Sequence, residues 1–173
     1  TLIGEAAEAG LPEAQYDFAV LLMEGAGIAP DSERAIALIQ QAASQGLVEA
    51  QVEYATLLYM GNGVERDIAE AADWYRSAAQ AGNAVAQVRY AMMIMAGEGV
   101  TPDAEAAIMY RTLARRQGLT DPQLDQMLRT VSSEERAAGE ERARFWPGEP
   151  PPSGALPPAS FSEEGETSAL LSQ

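Results

Sequence analysis

Carboxylates are the main chemical resource of this sequence, and they recur on a fixed beat. Asp31, Asp67 and Asp103 stand 36 residues apart, each shortly after a Gly-x-Gly step at Gly25 and Gly27, Gly61 and Gly63, and Gly97 and Gly99. The chain contains no histidine, cysteine or lysine. Imidazole bases, thiolate nucleophiles, Schiff-base amines and zinc-finger ligand sets are therefore excluded. Three uses of the carboxylates can be weighed. Acid–base catalysis needs one convergent constellation, not a residue copied in every unit. The Gly-x-Gly steps could suggest phosphate cradles, but they lack the P-loop lysine and follow helical rather than strand patterns. Asp67 with Glu70 offers oxygen ligands, yet no calcium-loop motif surrounds them. The spacing predicts instead that these aspartates cap helices, because an aspartate at the N-cap satisfies a free backbone amide. No catalytic residue, metal or cofactor is expected.

The elements that carry this beat follow from the rest of the repeat. Gly10, Gly46, Gly82 and Gly118 keep the same 36-residue period. Ala14-Gln15 returns as Ala50-Gln51 and Ala86-Gln87, and Phe18-Ala19 returns as Tyr54-Ala55 and Tyr90-Ala91. Ala35 and Ala42 return as Ala71 and Ala78, then as Ala107 and Ala114. Ala14, Phe18, Leu21 and Leu22 form one helical stripe, and Ala35, Leu38, Ile39, Ala42 and Ala43 form a second. The unit reads helix, glycine turn, helix, turn. A period of this length means stacked units that bury their apolar faces against one another. The fold class predicted is all-α, an α-solenoid of antiparallel helix pairs with C-terminal capping helices. Its parts are a partial repeat at 1–10, repeats at 11–46, 47–82 and 83–118, a cap at 119–146 and a tail at 147–173.

Residues 1–10 align with the end of a second helix, so the sequence is expected to start inside a unit. Asp121-Pro122 predicts an N-cap followed by proline in the first turn of a helix running to about Val131. Ser132 with Glu135 predicts a capping box opening another helix to about Trp146. The stretch from Pro147 holds six of the ten prolines and the acidic group Glu163, Glu164 and Glu166. That composition predicts an extended or disordered tail, with Phe161 and Leu170-Leu171 as its apolar anchors.

Net charge is −15, from 26 acidic residues and 11 basic ones, all arginine. Such a chain repels phosphate backbones, which excludes nucleic acid as a natural partner. No apolar run reaches the length of a membrane span.

The repeat resembles the Sel1-like repeat family. Its motif is matched best by Gly61-Asn62-Gly63-Val64-Glu65-Arg66-Asp67, Ala71, and Trp74-Tyr75-Arg76-Ser77-Ala78-Ala79-Gln80-Ala81-Gly82. Ala19, Ala55 and Ala91 stand where the motif has glycine, and Leu22, Leu58 and Ile94 where it has tyrosine. The resemblance, which covers about residues 1–118, implies a solenoid adaptor for protein–protein assembly. It favours the bacterial periplasm or cell envelope over the cytoplasm, with membrane-protein complexes among the partners.

In two-helix solenoids of this kind the first helices line a groove. The positions facing it should vary while packing positions repeat. They are Tyr16, Val20 and Met23 in the first full unit, Val52, Thr56, Tyr59 and Met60 in the second, and Val88, Met92 and Met95 in the third, with Val85 and Ala96 beside them. Glu13, Glu24 and Glu49 are expected as an acidic rim that steers a basic partner segment. The function expected is non-catalytic: an adaptor that holds a peptide, helix or loop of another protein in this groove. The alternative is an accessory subunit held permanently in a larger complex.

Overall fold

Asp31, Asp67 and Asp103 each accept a hydrogen bond from the amide three residues on, at 3.0, 2.9 and 2.8 Å. They open α3 (Ser32–Ser44), α5 (Ile68–Gln80) and α7 (Ala104–Arg116). In this computed structural model, which describes residues 2–148, the paired first helices are α2 (Pro12–Glu24), α4 (Val48–Met60) and α6 (Ala84–Ala96). Each first helix stops at a glycine in the left-handed conformation, Gly25, Gly61 and Gly97, with φ of 66, 72 and 69°. Only glycine reaches that region without a steric penalty. The chain then turns back, and the Asp31 and Asp67 amides bond to the carbonyls of Leu22 and Leu58 at 3.1 Å. The second helices end in a wider turn, closed by Leu47 to Ala42, Asn83 to Ala78 and Leu119 to Ala114 at 3.0–3.1 Å. This six-to-one bond is the Schellman closure.

The described residues form an all-α stack, and alanine sets its spacing. Ala19, Ala55 and Ala91 on the first helices have no exposed surface, nor have Ala35, Ala71 and Ala107 or Ala42, Ala78 and Ala114 on the second. Where two helices cross at methyl groups, their backbones come close and larger neighbours interlock around the crossing. Tyr54 meets Trp74 edge to face at 5.8 Å, and one period later Tyr90 meets Tyr110 at 5.4 Å. The first unit has Phe18 and Leu38 at these places, and there the Arg34 guanidinium lies over the Phe18 ring at 5.2 Å. Helix α1 (Leu2–Glu8) packs on α2 as α3 does on α4.

The repeated glutamines are buried polar groups, so their bonds must be accounted for. Gln51 and Gln87 donate to the carbonyls of Ala43 and Ala79 in the preceding unit, both at 3.3 Å. The Gln15 side-chain oxygen accepts from Gln45 at 2.8 Å, and that of Gln87 from Gln117 at 3.1 Å. The partner in each case lies thirty residues on, at the end of the second helix. For Gln51 that position is Ala81, and the Gln51 oxygen is buried with no bond.

Beyond α7 the period breaks. Helix α8 (Pro122–Met127) tightens into a 3-10 turn, Leu128–Thr130, and α9 (Ser133–Phe145) follows. The α-helix is thus shorter than the expected run to Val131. The Arg136 guanidinium ties the Leu128 carbonyl at 2.8 Å, and the Ser132–Glu135 capping box starts the next helix at once. Gly139 and Ala143 form the inner face of α9 against α7, where a Cβ on Gly139 would lie 2.5 Å from the Glu105 carbonyl and 2.6 Å from Ile108 Cβ. Arg116 donates to the Ala143 carbonyl at 2.6 Å and ties the helices together. Apart from Pro147 and Gly148, the Pro-rich acidic segment lies outside the described residues.

Two substitutions test this packing. Ala81 is exposed, so Ala81→Gln has room to supply the missing donor to Gln51. It should raise unfolding stability by about 1 kcal/mol in denaturant titration. Gly139→Ala, which at an ordinary helical site gains about 1 kcal/mol, should here lose about 1–3 kcal/mol through the clash with α7. Thermal unfolding reads the sign directly.

Candidate protein-binding cleft

The repeated stripe of each first helix faces the core, and the opposite stripe is only partly covered. Between α4, α6 and α8 that second stripe opens into a cleft of about 200 Å³. Thr56, Tyr59 and Met60 form one wall, Arg89, Met92, Met93 and Ala96 the other, and Gln123 and Met127 of α8 the end. Tyr75 reaches it from α5, and Glu98 from the turn after α6. Met60 is 60% exposed, an unusual position for a large apolar side chain on a helix whose other face is core.

Three hydroxyls organise the polar groups. The Tyr75 and Thr56 hydroxyls are 2.8 Å apart, and Thr56 also donates to the Val52 carbonyl at 2.8 Å. Tyr59 donates to the Glu98 carboxylate at 2.8 Å and so links the second unit to the third. Arg66 holds the other side of Tyr59, bonding its carbonyl at 2.9 Å with the guanidinium 5.9 Å from the ring centre. The hydrogen bond to Glu98, then burial and the Glu98 charge, push the Tyr59 phenol above its usual 10.0. Burial is the main cause of the upward shifts of Tyr16, Tyr54, Tyr75, Tyr90 and Tyr110.

Four residues expected in the groove, Thr56, Tyr59, Met60 and Met92, come together here, with Ala96 beside them. Val52 and Met95 are half-buried outside the cleft, packed on the core. Val88 is only 6% exposed and belongs to the core rather than to an open face, because the third unit is covered by the helices that follow it. Tyr16, Val20 and Met23 are half-buried along α2. Glu49 and Glu53 of α4 act electrostatically on Tyr16, so the faces of α2 and α4 adjoin. Glu13, Glu24 and Glu49 are exposed, but they do not gather at one end. Glu13 and Glu24 sit in the first and last turns of α2, about 16 Å apart along its axis.

Sequence reasoning missed Tyr75, Arg89, Met93, Glu98, Gln123 and Met127 as cleft residues. One signal was available for α8. Gln123 follows Gln87 by the same 36 residues that separate the earlier glutamines. Helix α8 therefore takes the place of a fourth first helix, yet its Gln123 is exposed. The alanines that receive this helix in earlier units, Ala43 and Ala79, are replaced by Arg115. Arg115 is exposed, whereas Ala43 and Ala79 are buried under the next first helix. α9 takes over the packing on α7, and the space left between α6 and α8 becomes the end of the cleft.

The Sel1 repeat profile matches residues 12–47, 48–83 and 84–119. The chain belongs to the Sel1 repeat family. Its structure is similar to a Sel1 repeat protein from Oxalobacter formigenes, with a TM-score of 0.67 at 28% identity over 73% of this chain and 93% of that one. It is also similar to a protective antigen of uropathogenic Escherichia coli with an SLR fold, with a TM-score of 0.63 at 33% identity over 68% of this chain. That alignment spans 25% of the antigen. No functionally curated protein matches the sequence. Sel1 repeat proteins generally mediate protein–protein interaction and are typically non-catalytic scaffolds. Among the described residues no helix is long and apolar enough to cross a membrane.

The raised phenols give a pH test. Ionisation is disfavoured in the folded state, so their contribution is fully present below pH 10 and is lost as pH rises through the raised folded values. Alkaline titration followed by tyrosinate absorbance should show late ionisation accompanied by unfolding. Tyr59→Phe should remove one late-titrating phenol.

Proposed function

We propose that this Sel1 chain is an adaptor that holds a segment of another protein on its first-helix face, centred on the cleft between α4, α6 and α8. The observation that supports this most is the placement of Met60, Met92, Met93 and Met127 around one opening, with Met60 largely in solvent. Methionine is unbranched and polarizable, so a wall of methionines adapts to irregular apolar partners. A contiguous apolar opening on a folded surface marks an interaction site. The size supports the same reading. Sites for small molecules span about 300–1,000 Å³. A cleft of about 200 Å³ fits one or two anchoring side chains of a longer segment instead.

The remainder of the segment would run along the α2 and α4 faces past Thr56, Val52 and Tyr16. Glu49 and Glu53 on that path favour a segment that is neutral or basic there. Tyr59 fixes the cleft wall through its bond to Glu98, so it positions as well as contacts.

Met92→Glu places a charge in the apolar wall. It should abolish capture of the partner by the immobilised protein, while the helical circular dichroism stays that of the parent. Capture equal to the parent would contradict the proposal.

A further inference from the structure

Among the described arginines, Arg89 is the one whose charge is both unanswered and inside the cleft. Arg34, Arg76, Arg111, Arg142 and Arg144 sit in ion pairs within 4 Å. Arg66, Arg116 and Arg136 donate to backbone carbonyls. Arg89 is exposed, lines the cleft and has neither kind of partner. The cleft's own carboxylate, Glu98, is already engaged by the Tyr59 hydroxyl. Glu53 is near enough to influence Tyr75, as Arg89 does, but makes no ion pair with Arg89.

We infer that the segment bound in the cleft presents a single carboxylate to Arg89, next to a bulky apolar side chain that enters among the methionines. This rests on the adaptor reading and specifies its ligand. A guanidinium offers a planar fork of donors that a carboxylate matches with two parallel bonds. The overall charge of −15 limits this to one acidic group, because a longer acidic run would meet repulsion from the rest of the surface. The occupant is thus a foreign segment with Asp or Glu beside Leu, Ile, Met or Phe, and neutral or basic residues around them.

The test is selection of random phage-displayed peptides on the full chain, followed by affinity measurement with a selected synthetic peptide. Selected sequences should share an acidic residue within two positions of a bulky apolar one. Replacing that carboxylate by its amide should weaken binding about tenfold or more. Arg89→Gln should weaken the parent peptide as much, and the two changes together should cost no more than either alone. Peptides that need Met92 but are indifferent to Arg89→Gln and to the amide swap would overturn this inference and leave the adaptor reading standing. Peptides indifferent to Met92→Glu as well, or no selected peptide at all, would overturn both. Arg89-dependent competition by a synthetic peptide of residues 149–173 would overturn the foreign occupant in favour of the chain's own acidic segment.

Discussion

Close approach of helices at alanine is the constraint on which the rest of this molecule depends. Three alanines in each unit have no exposed surface, and a methyl group is the smallest side chain that lets two helices cross closely. That contact fixes the distance between helices, and the distance fixes everything larger. The edge-to-face aromatic pairs recur because the same spacing recurs. The glutamines reach the carbonyls of the previous unit because the units are held near enough. The buried alanines of both helices repeat unchanged. The outer stripe of the first helices varies from unit to unit, and so do second-helix positions such as Leu38, Trp74 and Tyr110.

The end of the array shows what happens when the constraint is lifted. Arg115 takes the place of the alanine that would receive a fourth first helix, and the chain does not stack a fourth unit. A short helix occupies the site loosely, while α9 uses Gly139 and Ala143 to recreate the close approach on α7. Where the repeat ends, an opening lies between α6 and α8, with methionines on its walls and the unpaired Arg89 lining it.

Much of the fold was legible in the sequence because it rests on local chemistry with strict spacing. Asp31, Asp67 and Asp103 could be read as caps, Gly25, Gly61 and Gly97 as left-handed stops, and Ser132 with Glu135 as a capping box, since each acts within a few residues. The proposed binding face was legible only in part. Helical periodicity separates an outer stripe from an inner one, which found Thr56, Tyr59, Met60 and Met92. It says nothing about which helices later in the chain cover that stripe, so Val88 was placed on the open face although the third unit buries it. Nor does it reveal contributions from other elements. Tyr75 comes from a second helix, Glu98 from a turn, and Met127 from a helix whose place depends on the failure of the repeat. Arg89 stood out only once the partners of the other arginines were known.

The central claim is that function resides on the first-helix face, where the repeat breaks, and not on the outward faces of the second helices. Site-specific photo-crosslinking tests this most directly. A photoreactive residue at Met60, in the cleft, is compared with one at Asp73, which is exposed on α5. Expressed in cells that carry the native protein, the Met60 variant should give a discrete adduct with one partner, and the Asp73 variant should not. An adduct formed only from Asp73 would contradict the account and move the binding surface to the opposite side of the solenoid.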